Sequence, residues 1–174
     1  MNTRLHSFPP IAHTAARILI LGSMPGAASL QAGQYYAHPH NRFWPILGGL
    51  LGFDPTLSYA ERCAALSSAG IAVWDVLQSC IRPGSLDADI DPASIVPNDI
   101  IGLLQRCPSI ELICFNGGTA ETLFRRHLLK ATSSLRPIAR IRLPSTSPAH
   151  AGMRPEAKLE AWRNALAPYL QPRT

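Results

Sequence analysis

The sequence predicts an α/β fold: a single-domain three-layer α/β/α sandwich with a mainly parallel four-stranded sheet. Two observations predict it. Four short apolar runs are typical of buried strands, and helical patterns lie between them or after the last one. Strands that alternate with helices favour βαβ crossovers and a sheet covered on both faces. The length of 174 residues suits one domain, and no repeat or linker divides residues 1–174.

The strand predictions depend on four short runs that are mostly apolar and rich in β-branched or aromatic side chains. In chain order these runs are Ile18–Leu21, Ile71–Trp74, Leu112–Phe115 and Ile138–Leu143. Each is predicted to form a buried strand of the sheet.

Helices are predicted where apolar residues recur every three or four positions. The four segments are Tyr59–Ser68, Asn98–Gln105, Thr119–Leu129 and Pro155–Leu170. Asn98 or Asp99 can cap the second helix, and Pro155 suits the first turn of the last one. The Pro- and Gly-rich segment Arg82–Pro97 is predicted to be a long loop, either irregular or functional.

Composition excludes several classes of protein. Hydrophobic residues make up 47% of the chain and charged residues 16%, which excludes a disordered chain and a coiled coil. No apolar run approaches the roughly 20 residues that a membrane-spanning helix needs. The net charge of +5 fits a polyanionic partner and ordinary surface charge equally well. Residues 1–10 lack the apolar stretch of a secretory signal, so a cytoplasmic location is expected.

No metal or other cofactor is expected. The four cysteines lack the spacing of a zinc or iron–sulfur site; they are Cys63, Cys80, Cys107 and Cys114. The pair His38 and His40 has the spacing of two metal ligands, but no third ligand is suitably placed in the sequence.

Polar residues follow every predicted strand. The four strand ends are Gly22–Gly26, Asp75, Asn116–Thr119 and Pro144–Pro148. Because ligands bind at the carboxyl ends of parallel strands, four such ends at one edge indicate a cleft that accepts a polar ligand. For Asp75 the alternative is an ordinary solvated loop carboxylate, and for Asn116 it is a turn with the glycines that follow.

The segment 22–44, GSMPGAASLQAGQYYAHPHNRFW, has the densest set of candidates. Tyr35 and Tyr36 offer flat faces on which a base could stack, with Tyr36 the preferred platform and Tyr35 the framework residue. The Asn41 amide can donate and accept hydrogen bonds, or it can cap a helix over Arg42–Leu50. The segment lacks both the Walker pattern and the GxGxxG pattern of nucleotide-binding loops.

Two motifs resemble the uracil-DNA glycosylase superfamily. The segment 37–44, AHPHNRFW, matches every fixed position of a motif in its mismatch-specific branch. Met24 stands where that branch has a catalytic Asn, and this departure resembles the hypoxanthine-DNA glycosylases, the sixth family. The segment Leu143–Pro148 resembles the DNA-inserting loop of the superfamily, with Leu143 where relatives have His or Asn.

The resemblance implies a DNA repair glycosylase that hydrolyses the N-glycosidic bond of a deaminated base, namely hypoxanthine, with uracil and xanthine as further substrates. It implies that Asn41 is the catalytic residue. Together with the strand-end loops it gives the base-binding candidates Ser23, Met24, Tyr36, Asp75 and Asn116. The DNA-binding candidates are Ser145, Thr146, Ser147, His150 and Arg154. The backbone amides of Ser23–Gly26 are candidates for stabilising negative charge on the leaving base.

The expected partner is double-stranded DNA with a deaminated or mismatched base, bound by a monomer that has no membrane association. Two alternatives stay open: a mismatch-specific uracil-DNA glycosylase, and a non-catalytic nucleic-acid-binding α/β module in which Met24 marks lost activity. The only two lysines, Lys130 and Lys158, are distant from both motifs in the sequence. A lyase that forms a Schiff base is therefore not expected.

Overall fold

The computed structural model describes residues 3–170, in which seven strands form two sheets. The strands are β1 (Arg4–His6), β2 (Ile18–Gly22), β3 (Ile71–Asp75), β4 (Leu77–Ile81), β5 (Val96–Pro97), β6 (Leu112–Asn116) and β7 (Ala139–Leu143). The helices are α1 (Ala27–Ala32), α2 (Phe43–Leu51), α3 (Tyr59–Ser68), α4 (Ile100–Arg106), α5 (Gly118–His127), α6 (Leu129–Thr132) and α7 (Pro155–Leu166). No helix in this range is long and apolar enough to cross a lipid bilayer.

The larger sheet has the strand order β3-β2-β6-β7, and all its strand pairs are parallel. Its central strand β2 is completely buried and pairs Ile18 with Ile71 on one side and with Leu112 on the other. The predicted four-stranded parallel sheet is confirmed, and each strand lies within one residue of its predicted bounds.

Helices cover both faces because the crossovers run in opposite directions. The chain passes from β2 through α2 and α3 to β3, and then in the other direction through α4 to β6 and through α5 to β7. Since parallel crossovers are almost always right-handed, connections that run in opposite directions lie on opposite faces. The last helix, α7, packs against α2 and β7. This arrangement is the predicted three-layer α/β/α sandwich.

A second sheet, which is antiparallel and has the order β1-β4-β5, was not predicted from the sequence. Two of its strands have only three and two residues, too few for a recognisable alternation. The predicted loop Arg82–Pro97 is therefore only partly a loop. It contains two 3₁₀ turns, Asp87–Asp89 and Pro92–Ser94, and ends in β5.

Three helix ends differ from the prediction. Helix α4 begins two residues late because Asp99 is its cap: the Asp99 carboxylate accepts a hydrogen bond from the Gly102 amide at 2.9 Å. The Asn98 side chain instead donates to backbone carbonyls of β3 and β4. Helix α5 ends at His127 and is followed by the separate helix α6. Helix α7 ends at Leu166 and continues as a 3₁₀ turn that contains a proline.

The parallel sheet aligns the chemistry-bearing ends of its strands. The register pairs Gly22 with Asp75 across β2 and β3, and Asn116 with Leu143 across β6 and β7. The loops that follow these four residues therefore meet at one edge of the sheet, where a ligand site is expected.

Candidate active site

A cleft with a volume of about 450 Å³ opens at the carboxyl edge of the parallel sheet. Its walls are the loop after β2, residues of the segment 35–41, the segment 85–88, and the strand-end residues and loops that follow β3, β6 and β7. A volume of this size is typical of small-ligand sites in proteins, and the lining mixes apolar surface with convergent polar groups.

Ten of the eleven predicted site residues line this cleft. The exception is Arg154, which is exposed at the N-terminus of α7, outside the cleft lining. The structure thus brings together residues from both sequence motifs, and the role of each remains a prediction.

Hydrogen bonds of Thr146 join the two motifs. The Arg42 backbone N–H donates to the Thr146 carbonyl at 2.9 Å. The Asn116 side chain donates to the Thr146 hydroxyl and accepts from the Thr146 amide, both at 2.9 Å. Thr146 is completely buried. This placement favours a role for Thr146 in holding the loops together over the predicted direct contact with DNA.

The Asn41 side chain combines two features that the sequence presented as alternatives. Its Oδ1 accepts a hydrogen bond from the Phe43 amide at 3.0 Å, so the side chain stabilises the start of α2. Its Nδ2 makes no hydrogen bond within residues 3–170, and the residue lines the cleft. A helix-stabilising oxygen and a free amide donor are therefore present on one side chain.

The segment 85–88 forms a wall of the cleft that was not assigned to the site from the sequence. The Ser23 hydroxyl donates to the Asp87 carboxylate at 2.7 Å, and the buried Arg82 guanidinium donates to the Pro25 carbonyl at 2.6 Å. These bonds tie the wall to the loop after β2, which also carries the buried Met24. The only signal in the sequence was the unusual length of the Pro- and Gly-rich segment.

Asp75 lies at the bottom of the cleft and is not a solvated loop carboxylate. Its exposed fraction is 3%, and its Oδ2 has no hydrogen-bond partner among the described residues. Burial, and then the nearby Asp87 carboxylate, raise the pKa of Asp75 to about 7 against the lowering effect of Arg82. The group therefore changes its charge near neutral pH.

Tyr36 lies next to Asp75 in a constrained conformation. Its φ of +54° is in the left-handed region, and its ring stacks on Phe43 with 4.0 Å between ring centroids. Its buried hydroxyl has no hydrogen-bond partner among the described residues. Burial and the Asp75 charge raise the pKa of Tyr36 well above the usual range, whereas the nearby Asn116 side chain lowers it, and the hydroxyl keeps its proton. Phe43 covers one face of the ring, and stacking of a base on Tyr36 remains a prediction.

Gly22 leaves the space in which these two polar groups meet. A Cβ atom at this position would lie 2.5 Å from Asp75 Oδ1 and 3.0 Å from Tyr36 Oη. Both distances are too short for ordinary contacts, so only glycine fits without displacing the two side chains.

One lysine lies much closer to the second motif than the sequence indicated. Lys158 on α7 is buried, and its ammonium donates to the carbonyls of Ser145 and His150. The expectation that no lysine approaches either motif is therefore wrong, because α7 brings Lys158 back against this loop. The ammonium supports the loop, and Lys158 is not among the residues that line the cleft. Burial, and then the positive charge of Arg42, lower the pKa of Lys158.

Within residues 3–170, no three His, Cys, Asp or Glu side chains are grouped so that they could hold a metal ion. The His38 Nδ1 accepts a hydrogen bond from the His40 amide at 3.1 Å, so this ring nitrogen is engaged within its own loop.

Comparisons with known proteins agree with the fold and with the motifs. Residues 9–171 match the family described as the Uracil DNA glycosylase superfamily. Hypoxanthine DNA glycosylases from Methanosarcina barkeri and Methanosarcina acetivorans are 40% and 38% identical to this chain over 122 residues, which is 68% of this chain and 76% of each relative. The solution NMR structure of a candidate uracil DNA glycosylase from Methanosarcina acetivorans has a TM-score of 0.75 and 31% identity, covering 94% of this chain and 99% of that one.

The pKa of Asp75 predicts how stability depends on pH. Because the folded state holds the Asp75 proton from pH 3.8 to about 7 while the unfolded state releases it, the free energy of unfolding should fall as pH rises through this range. Asp75→Asn cannot ionise and should gain stability relative to the wild type as pH rises. Denaturant unfolding of both proteins at several pH values measures this difference; a difference that stays constant would contradict the raised pKa.

Removing the Lys158 ammonium should weaken the loop of the second motif. Lys158→Met keeps the apolar stem but leaves the Ser145 and His150 carbonyls without their donor, so we expect a loss of about 1–3 kcal/mol in the free energy of unfolding. Lys130→Met removes the same charge from an exposed position on α6 and should change stability by less than about 0.5 kcal/mol. Equal losses in the two variants would show that the ammonium does not support the loop.

Proposed function

Because the chain belongs to the uracil DNA glycosylase superfamily, we propose that it is a DNA glycosylase that removes hypoxanthine from DNA by hydrolysis of the N-glycosidic bond. The observation that carries the proposal is one cleft that contains both Met24, which has no group able to direct a water, and Asn41, which has a free amide donor. The names of the two Methanosarcina relatives support the choice of base.

The shape of the cleft supports a substrate base that leaves the DNA helix. A cleft of about 450 Å³ is large enough to enclose a single base, and a base stacked inside a duplex is out of its reach. Enzymes that act on a base in DNA therefore flip the target nucleotide out of the stack, and a mispaired base costs least to unstack. The net charge of +5 supports binding to a polyanionic duplex. We further infer a monomer, active in the cytoplasm, that acts on double-stranded DNA.

The proposed reaction breaks the bond between C1′ of deoxyribose and N9 of hypoxanthine. The electron pair of this bond leaves with the base, the sugar becomes oxocarbenium-like, and the oxygen of a water molecule bonds to C1′. The proton that the water releases balances the proton that the departing base anion takes up. Negative charge thus develops on the base, so a group that donates hydrogen bonds to the base accelerates the reaction.

Two sets of donors in the cleft suit this charge. The Asn41 Nδ2 is the side-chain donor, and we propose that it binds the departing base. The backbone N–H groups of Met24 and Gly26 make no hydrogen bond within residues 3–170 and belong to the loop that lines the cleft. We propose that they add to the stabilisation, in the way that an oxyanion hole does.

Base cleavage on a defined duplex tests the proposed function. Duplexes with a single hypoxanthine, uracil or xanthine, and an undamaged duplex, are incubated with the protein and then treated with alkali to break the strand at abasic sites. We expect cleavage of the hypoxanthine strand, unchanged by EDTA, and a strand break only after alkali. Cleavage of uracil alone would favour the mismatch-specific alternative, and cleavage of none would favour the non-catalytic module.

Two substitutions separate the catalytic and structural roles of Asn41. Asn41→Ala should lower the single-turnover rate about 10²–10³-fold, because one preorganised donor is lost, and should also lower stability by about 1 kcal/mol. Asn41→Asp keeps an oxygen that can accept from the Phe43 amide but lacks the amide donor. It should therefore melt near the wild type while its cleavage rate falls by a similar factor.

Rates and thermal melts measured on the same preparations decide the outcome. If Asn41→Asp folds and cleaves at nearly the wild-type rate, the Nδ2 donor is not used, and Asn41 only stabilises the start of α2.

A further inference from the structure

Two buried polar atoms in the cleft lack hydrogen-bond partners within the described part of the chain: Asp75 Oδ2 and Tyr36 Oη. Nearly all buried polar atoms of native proteins are hydrogen-bonded, so unpartnered polar side chains that line a cleft are candidates for hydrogen bonds to a ligand. We infer that Asp75 and Tyr36 together recognise the amide edge of the flipped base: Asp75 accepts the ring N–H, and Tyr36 donates to the adjacent carbonyl oxygen. The inference rests on the proposed function and specifies which side chains recognise the base.

The geometry places the two groups around one point. Asp75 Oδ1 and Tyr36 Oη both lie within 3.0 Å of the position that a Cβ atom of Gly22 would occupy. Asp75 Oδ1, the second oxygen of the carboxylate whose Oδ2 has no partner, is therefore at most about 5.5 Å from Tyr36 Oη, and both residues line the cleft. An acceptor and a donor side by side match a ring N–H next to a carbonyl oxygen.

Both side chains are held in place before a ligand arrives. Asp75 ends a fully buried strand, and its backbone carbonyl accepts a hydrogen bond from Asn98 at 2.9 Å. Tyr36 is oriented by its positive φ and by stacking on Phe43. Preorganised polar groups in a buried site give strong discrimination because a mismatched ligand leaves them unpaired.

Deamination creates the edge that this pair would bind. Hypoxanthine presents the N1–H donor beside the O6 acceptor, whereas adenine presents an N1 acceptor beside an N6 amino donor. An ionised Asp75 attracts the first pattern and repels the second, and the protonated Tyr36 hydroxyl complements O6 but not an amino group. Uracil and xanthine carry the same carbonyl and N–H pair, and so do guanine and thymine. The pair therefore separates hypoxanthine from adenine, and discrimination against guanine and thymine has to come from other parts of the cleft or from the stability of the base pair in the duplex.

A structural role for Asp75 predicts a different effect of substitution. A buried carboxylate without a partner costs stability, so replacing it with an apolar side chain of similar size should not destabilise the fold. If Asp75 instead held the strand ends together, the same replacement would lower the melting temperature. The combination of lower activity with retained or higher stability is therefore specific to ligand recognition.

The test compares hypoxanthine with adenine in binding as well as in cleavage. The probes are duplexes in which a 2′-fluorinated nucleotide carrying either base resists cleavage, so that affinity is measured without reaction. The wild type should bind the hypoxanthine duplex more tightly. Asp75→Leu should lose about 10- to 100-fold of this preference and of the single-turnover rate on hypoxanthine, while its melting temperature does not fall.

Two variants that keep the size of the side chain test the inference even if Asp75→Leu does not fold. Asp75→Asn keeps an acceptor for the ring N–H and should retain most of the preference, and Tyr36→Phe should lose about tenfold. An unchanged preference in Asp75→Leu, or no preference in the wild type, overturns the inference. If the wild type prefers the hypoxanthine duplex in binding but cleaves no deaminated base, the recognition stands and the proposed catalytic function fails.

Discussion

Thr146 is the point at which the parts of the cleft are joined. Its carbonyl accepts from the Arg42 amide, and its amide and hydroxyl are bound by the two ends of the Asn116 side chain. The first motif, the end of β6 and the second motif are thereby held in one fixed arrangement. The parallel register aligns the strand ends, but these hydrogen bonds determine how the loops beyond them meet, and the positions of Asn41 and the second-motif loop follow from them.

Polar groups that support the loops and polar groups at the bottom of the cleft can be compared by their hydrogen-bond partners. The groups that support the loops have hydrogen-bond partners: the Lys158 ammonium donates to two carbonyls, and the Arg82 guanidinium donates to the Gly84 and Pro25 carbonyls, although its Nη1 makes no hydrogen bond among the described residues. At the bottom of the cleft, Asp75 Oδ2 has no hydrogen-bond partner in the described part of the chain. A buried carboxylate oxygen without a partner lowers the free energy of unfolding. In this protein that cost is associated with Asp75, a residue that lines the cleft.

The sequence predicted the parallel sheet well because its strands are short, apolar and separated by helical patterns, all of which are local signals. The strands β1 and β5 lacked such a signal because they are stabilised by pairing with β4 rather than by their own composition. The site residues near the motifs were likewise identified from the strand ends and from the family resemblance. Lys158 and Asp87 were missed because their relation to the cleft arises from tertiary contacts far apart in the chain.

The two roles of the Asn41 side chain also could not be separated from the sequence pattern alone. The sequence offered helix capping and catalysis as alternatives, but the two ends of one amide can serve both, since Oδ1 accepts from the Phe43 amide and Nδ2 makes no hydrogen bond within residues 3–170. The burial of Asp75 and its raised pKa could not be predicted from the local pattern either, because the charged groups near it, Arg82 and Asp87, belong to a later segment of the chain.

The small antiparallel sheet supports the cleft from outside the main fold. The segment 82–95 connects its strands β4 and β5. The first part of this segment is hydrogen-bonded to the loop after β2 through Arg82 and Asp87. Residues can therefore be inserted or deleted in this connection without shifting any strand of the parallel sheet. Evolution can resize the mouth of the cleft by altering this one connection, and so change which substrates enter while the groups at its bottom stay in place.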